Sequence, residues 1–249
     1  MKLTILGSGT GHPSAKRAPA GCLIETGSSK MLFDSGPGTF LRLAKINISV
    51  TDLTHLFYTH LHPDHTLDFM FFLFASRNPG LQRTLPLHVA GPKGFLEFYE
   101  KTKILYGNWM EVPFKFLLKE MLEDVQPFDD FSVQSTEVLH QKHSVAYAVT
   151  AQNGKKFVYT GDMDKNDAIV RLAKGADVFL CECSFPDDHY CPGHMTPSSV
   201  AEITKKSGVK KIVLTHFYPV WDSVGFKDAL SPLKGMNVVT AEDFMEIQI

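Results

Sequence analysis

Three imidazoles and a carboxylate fall within six residues of this chain, in the run His60-Leu61-His62-Pro63-Asp64-His65. Packing gives little reason to concentrate such side chains, whereas a bound cation does. Imidazole and carboxylate together suit zinc, and also manganese or iron. Histidines two apart in an extended segment project to the same side, so His60 and His62 can share one ion. Pro63 then turns the chain, which lets Asp64 and His65 reach a second point nearby. The apolar residues just before the run, Leu56-Phe57-Tyr58, read as a strand that would hold the cluster at a sheet edge.

A metal site needs further donors, and three occur where predicted strands end. His140 follows a strand over residues 133–139, Asp162 follows one over 156–159, and His216 follows one over 211–214. Strand ends converge at one rim of a layered fold, where sites form. Each residue alone would pass for a surface or capping group; their recurrence beside the cluster favours ligation. His143, three residues beyond His140, is the alternative to it. His12, His55, His88 and His189 have no comparable position and read as surface or hydrogen-bonded core histidines. Two ions about 3.5–4 Å apart would lower the pKa of a shared water toward neutrality and stabilise developing negative charge, which is the chemistry a hydrolysis needs. Asp64 is the candidate to orient the attacking water or accept its proton, as well as to hold a metal.

The elements that must position these groups are short apolar runs broken by Gly, Pro and Asp. Strands are expected over residues 3–6, 22–25 and 31–33, and a helix from Gly36-Pro37-Gly38 to about residue 45. Residues 66–76 read as a helix that is apolar nearly all round, hence buried or at an interface. A helix over 94–106 precedes a stretch, 107–130, that fits no pattern and could wall or cover the site. Alternation then gives strands over 133–139, 145–150 and 156–159, followed by buried strands over 178–181 and 211–214. Residues 197–207 form a helix with Pro197 in its first turn and Thr196 as N-cap. Interleaving without strict βαβ regularity indicates an α/β sandwich of two sheets covered by helices, one domain over residues 1–249.

Composition narrows the classes. A chain of 249 residues, 44% hydrophobic, can bury one large core, and a formal net charge of −2 offers no broad basic face for nucleic acid. Cys22, Cys181, Cys183 and Cys191 form no CxxC pair and read as free thiols of a reducing compartment. The start, Met1-Lys2-Leu3-Thr4-Ile5-Leu6-Gly7, is no secretory signal, and the apolar run 69–75 is too short to span a bilayer. A cytoplasmic protein without a membrane partner is expected.

The ordered set of motifs resembles the metallo-β-lactamase superfamily, and more closely its ribonuclease Z branch. The resemblance rests on the cluster together with Leu6-Gly7-Ser8-Gly9-Thr10-Gly11, Phe33-Asp34-Ser35-Gly36-Pro37-Gly38, His140 with Ser144-Val145-Ala146-Tyr147, Gly161-Asp162, Gly193-His194-Met195-Thr196, and Leu214-Thr215-His216-Phe217. It implies an αββα sandwich of two mixed β-sheets flanked by helices. His60, His62 and His140 would then bind one metal, Asp64, His65 and His216 the other, and Asp162 would bridge them; Ser144-Val145-Ala146-Tyr147 sets the register that prefers His140 to His143. His194 matches the family histidine outside the metal shell that meets the phosphate, and Glu182 matches the acid that tunes it. Here Cys181-Glu182-Cys183-Ser184 stands where the family usually has His-Glu-Ala-Thr. The resemblance also implies a homodimer through the apolar helix. Asp34 would either orient a ligand histidine or cap the helix after Gly36-Pro37-Gly38, and Lys16-Arg17 would either meet a substrate phosphate or lie in a solvated loop.

Substrate choice turns on one short segment. Transfer-RNA 3′ endonucleases of this branch carry a long RNA-gripping arm between the third histidine motif and Gly-Asp. From Tyr147 to Gly161 this chain has only two strands joined through Gln152-Asn153-Gly154, a tight hairpin. The expectation is therefore a binuclear phosphodiesterase acting on a small substrate, with RNA not favoured. The alternatives are a ribonuclease Z-like RNA 3′-processing endonuclease and a lactonase or β-lactamase-type carbonyl hydrolase.

Overall fold

The computed structural model describes residues 1–81 and 83–249. In chain order its strands are β1 (Lys2–Gly7), β2 (Gly21–Thr26), β3 (Ser29–Phe33), β4 (His55–Phe57), β5 (Leu87–Gly91), β6 (Phe116–Glu120), β7 (Val125–Pro127), β8 (Phe131–Glu137), β9 (Val145–Ala151), β10 (Lys156–Tyr159), β11 (Val178–Glu182), β12 (Ile212–Thr215), β13 (Val238–Thr240) and β14 (Glu246–Gln248). The helices are α1 (Thr39–Lys45), α2 (Pro63–Ala75), α3 (Phe95–Tyr106), α4 (Asp167–Ala173), α5 (Pro197–Ser207) and α6 (Val220–Val224).

The strands make two mixed sheets of seven, ordered β14-β1-β2-β3-β4-β5-β6 and β13-β12-β11-β10-β9-β8-β7. In the first, β3 to β6 run parallel; in the second, β10 to β13 do. Period-two alternation sorts each strand between two apolar layers. Leu3, Ile5, Ile24, Met31, Phe33 and Phe57 meet Tyr147, Val149, Phe157, Leu180 and Val213 between the sheets. The opposite face of the first sheet, with Leu6, Leu23, Leu32 and Leu56, lies under Phe40, Phe69, Phe72 and Phe95 of α1, α2 and α3. Phe179, Cys181 and Leu214 of the second sheet pack likewise under Ile169, Leu172, Val200 and Trp221. The architecture is thus the αββα sandwich of two mixed sheets.

Three local differences from the sequence reading bear on the site. α2 begins at Pro63, not at residue 66, because proline at the first helical position already has helical φ and no N–H to lose. Asp64 and His65 therefore sit on its first turn. α2 is covered on one side only: His65, Phe69, Phe72 and Leu73 are buried, while Phe71 and Phe74 remain half exposed. Finally, residues 107–130 supply β6 and β7, the edge strands of the two sheets, and so close the side of the sandwich. The helix at Pro197–Ser207 matches the sequence reading, although the hydroxyl of Thr196 meets Ser199 Oγ while Asp187 caps the backbone N–H of Ser198. Among the described residues, no helix is long and apolar enough to cross a membrane.

Candidate metal centre

The chemistry-bearing residues meet at the carboxyl ends of β4, β10, β11 and β12, the rim where parallel strands leave backbone free to turn toward a ligand. Thr59 and His60 follow β4, Asp64 and His65 open α2, Asp162 follows β10, Glu182 closes β11 and His216 follows β12. His140 comes from the β8–β9 loop, three residues past the end of its strand. The two sheets are tied together here: Val145 N–H donates to Thr59 O at 2.9 Å, and the Tyr147 hydroxyl donates to Tyr58 O at 2.9 Å. Gly161 makes the approach possible. Its φ is +57°, and a Cβ there would lie 2.5 Å from Thr59 Cβ.

All seven predicted ligands are brought together. His60, His62, His140 and Asp162 form one group and Asp64, His65 and His216 another, with donor atoms within 4.8 Å of one another in each. Asp162 faces both groups. Its Oδ2 lies 3.8 Å from Nε2 of His60 and of His140, and its Oδ1 lies 3.2 Å from Nε2 of His65 and of His216. That Oδ1 is buried without a hydrogen bond among the described residues. Asp64 Oδ2 is 3.6 Å from His216 Nε2. Ring nitrogens crowd in the same way: His62 Nδ1 is 3.0 Å from His60 Nε2 and 3.2 Å from His140 Nε2, and His65 Nε2 is 3.4 Å from His216 Nε2. The neutral rings of His60 and His62 aim lone pairs at each other and repel unless a cation lies between them. The donor set thus fits divalent cations.

Hydrogen bonds fix which nitrogen each ring offers. His140 Nδ1 meets Gly193 O at 2.8 Å, His216 Nδ1 meets Ser184 Oγ at 3.0 Å, and His60 Nδ1 meets Thr59 Oγ1 at 3.0 Å, so each presents Nε2. His62 presents Nδ1. His65 Nδ1 donates to Asp34 Oδ2 at 2.8 Å. Asp34 also accepts from Thr59 N–H, the Thr59 hydroxyl and the Tyr159 hydroxyl at 2.8–2.9 Å. It therefore orients the His65 ring and does not cap α1; Asp68 accepts the N–H groups of Gly38 and Phe40 in that role. His143 lies apart, its Nδ1 3.1 Å from Glu137 Oε1.

Electrostatics agree with the geometry. Burial, then the neighbouring imidazoles, lower the pKa of His60 and His62, which keeps them neutral. Burial would raise Asp162, but His216 and His65 outweigh it and hold the carboxylate well below its usual range. Burial would also lower His65, yet Asp162 and Asp34 raise it well above. A proton held there between carboxylates marks a place where a metal cation is equally favoured.

Beside this centre, His194 lies within 4.8 Å of the donor atoms of Asp162 and His216. Its Nδ1 is 3.2 Å from Oε1 of the fully buried Glu182. Burial lowers His194, but the hydrogen bond to Glu182 together with the charges of Glu182 and Asp162 more than offsets that, so its pKa is raised. Sequence reasoning missed Ser184. Its hydroxyl bonds Glu182 Oε2 and lies 3.0 Å from His216 Nδ1, which couples the His216 ring to the Glu182–His194 pair. The available signal was position: two residues after Glu182 in extended chain, on the same side. Arg17 is committed elsewhere, bonding Ser8 Oγ and Ala241 O and lying over the Phe217 ring, while Lys16 pairs with Asp222 at the surface.

A family model described as the beta-lactamase superfamily domain matches residues 29–217. The chain belongs to this superfamily. It is a metal-dependent hydrolase of the metallo-β-lactamase fold. Its sequence is 26% identical to ribonuclease Z of Methanosarcina acetivorans, over all of this chain and 98% of that protein, and 28% identical to ribonuclease Z of Brevibacillus brevis, over 89% and 86%. Human tRNase Z, short form, superposes with a TM-score of 0.82 at 26% identity, covering 100% and 99% of the two chains. The Methanosarcina alignment runs over 315 positions against 249 residues here, so that relative carries residues without a counterpart in this chain. These likenesses to ribonucleases reverse the ranking that the short hairpin suggested, in which RNA stood behind a small diester.

Proposed function

We propose that this chain hydrolyses phosphodiester bonds in RNA, as a ribonuclease Z-like enzyme without the long arm. His60, His62, His140 and Asp162 would hold one divalent ion and Asp64, His65, His216 and Asp162 the other, with zinc the first candidate from the nitrogen-rich donor set. Two ions so held lower the pKa of water and polarise a phosphoryl oxygen. The observation that carries the reading is the buried Glu182 beneath His194, next to the bridging carboxylate. Glu182 occupies Nδ1 and favours the protonated ring, leaving Nε2 free to donate a proton to the departing alkoxide. Asp64, whose carboxylate stays ionised because the neighbouring His216 and His65 together outweigh its burial, orients the attacking water. Anionic diesters need this positive, proton-donating flank; neutral carbonyl substrates do not.

A small phosphodiester is the second reading, favoured by the β9–β10 hairpin, whose strands are joined only by residues 152–155. The half-exposed Phe71, Phe74, Tyr106 and Trp109, which line a cleft of about 470 Å³, would be covered in a homodimer. Three buried free thiols, Cys22, Cys181 and Cys183, suit the reducing cytoplasm. Metal analysis of the purified protein, with a panel of precursor transfer RNA, bis-p-nitrophenyl phosphate, a lactone and a β-lactam, tests the reading. RNA and diester cleavage that stops on chelation is expected. Turnover of diesters without RNA would select the second reading, and turnover of carbonyl substrates alone would overturn both.

A further inference from the structure

Two aromatic rings at the mouth of the centre have no place in the apolar cores. Phe185 follows β11 and Tyr218 follows β12, strands paired in parallel through Glu182 and Thr215. Their rings stack with centroids 4.5 Å apart and planes at 21°. Both are partly exposed, whereas Phe217 between His216 and Tyr218 is buried against Trp221. The His194 ring stands nearly perpendicular to both, 5.7 Å from Phe185 and 5.8 Å from Tyr218. The pair is fixed from below: Tyr218 N–H donates to Ser184 O, Phe185 N–H donates to Met195 O, and the Trp221 indole N–H donates to Cys183 O and Ser184 O.

We propose that Phe185 and Tyr218 form a stacking platform for the base of the nucleoside that flanks the scissile phosphate. The inference rests on the phosphodiester reading above. A phosphate beside His194 places its neighbouring sugar and base within reach of rings that lie next to the same histidine. Stacking suits this chain because it is tolerant of base identity and needs no arm or basic face. A platform held rigidly by backbone bonds gives up little conformational freedom when a base lands on it.

Calorimetric titration of the metal-loaded protein with adenosine 5′-monophosphate and with methyl phosphate measures the platform directly, since the two ligands share the phosphate and differ in the nucleoside. Wild type should prefer the nucleotide by about 5- to 150-fold, the range of one stacked base. Phe185→Leu and Tyr218→Leu should bring that ratio toward unity, and Tyr218→Phe, which keeps the ring, should retain it. Equal binding of the two ligands by wild type, or an undiminished ratio in both leucine variants, overturns the platform. Hydrolysis of thymidine 5′-p-nitrophenyl phosphate and of methyl p-nitrophenyl phosphate is followed in parallel. Turnover of neither would overturn the phosphodiester reading, while the binding ratio still decides the platform.

Discussion

Replacing Asp34 by Asn alters a single atom, yet the surroundings make it costly. Asp34 is 1% exposed, and its Oδ1 accepts the Thr59 N–H at 2.8 Å. Its Oδ2 accepts from the Thr59 hydroxyl, His65 Nδ1 and the Tyr159 hydroxyl at 2.8–2.9 Å. A carboxamide has one acceptor oxygen. Turned toward His65, it aims its NH₂ at the Thr59 N–H, donor against donor; turned the other way, it leaves three donors without an acceptor. Each buried unsatisfied group costs about 1–3 kcal/mol. Removing the anion beside His65 brings the total for the metal-free protein to about 3–5 kcal/mol. Backbone strain is not the cause, because Asn tolerates the φ of +54° at this position. With His65 no longer held, metal affinity should fall about 10- to 100-fold. Urea unfolding of metal-free and metal-loaded protein measures the first quantity, and competition with a chromophoric chelator the second. A loss below about 1 kcal/mol together with unchanged metal affinity would refute the account of Asp34 as the residue that orients His65.

Further substitutions separate the roles within the centre. His140→Ala should lower the metal content of the purified protein, whereas His143→Ala, which removes only the contact to Glu137, should leave it intact; elemental analysis of both reads this, and the reverse pattern would reassign the ligand. His194→Ala should keep both metals and reduce turnover by about 10²–10⁴-fold; unchanged turnover would remove it from the mechanism. Glu182 raises the His194 pKa, and the proposed role needs the protonated ring, so activity is present below that pKa and lost as pH rises through it. Glu182→Gln should therefore shift the alkaline limb of the kcat profile to lower pH, and a limb that stays in place would show that another group controls it.

Much of this protein is written locally. His60, His62, Asp64 and His65 announce themselves because ligand chemistry depends on residue type and close spacing, and most strands are legible because alternation is a property of five or six consecutive residues. Pro197–Ser207 is readable from its first-turn proline and the Thr196 before it for the same reason. The edge strands β6 and β7 are not, since each is held by a single neighbouring strand.

Tertiary structure decided what depends on distant groups. The motif after them preferred His140 to His143, and the fold acts on that preference through the Gly193 carbonyl, fifty-three residues away, which holds the His140 ring toward the centre. Asp34 could cap a helix or orient a ligand until the fold set it beside His65 and Tyr159. Ser184 gained its link to His216, and Phe185 its stack with Tyr218, because β11 and β12 lie side by side. The candidate donors are legible in the sequence; their division around Asp162 needed two sheets to bring four strand ends to one rim.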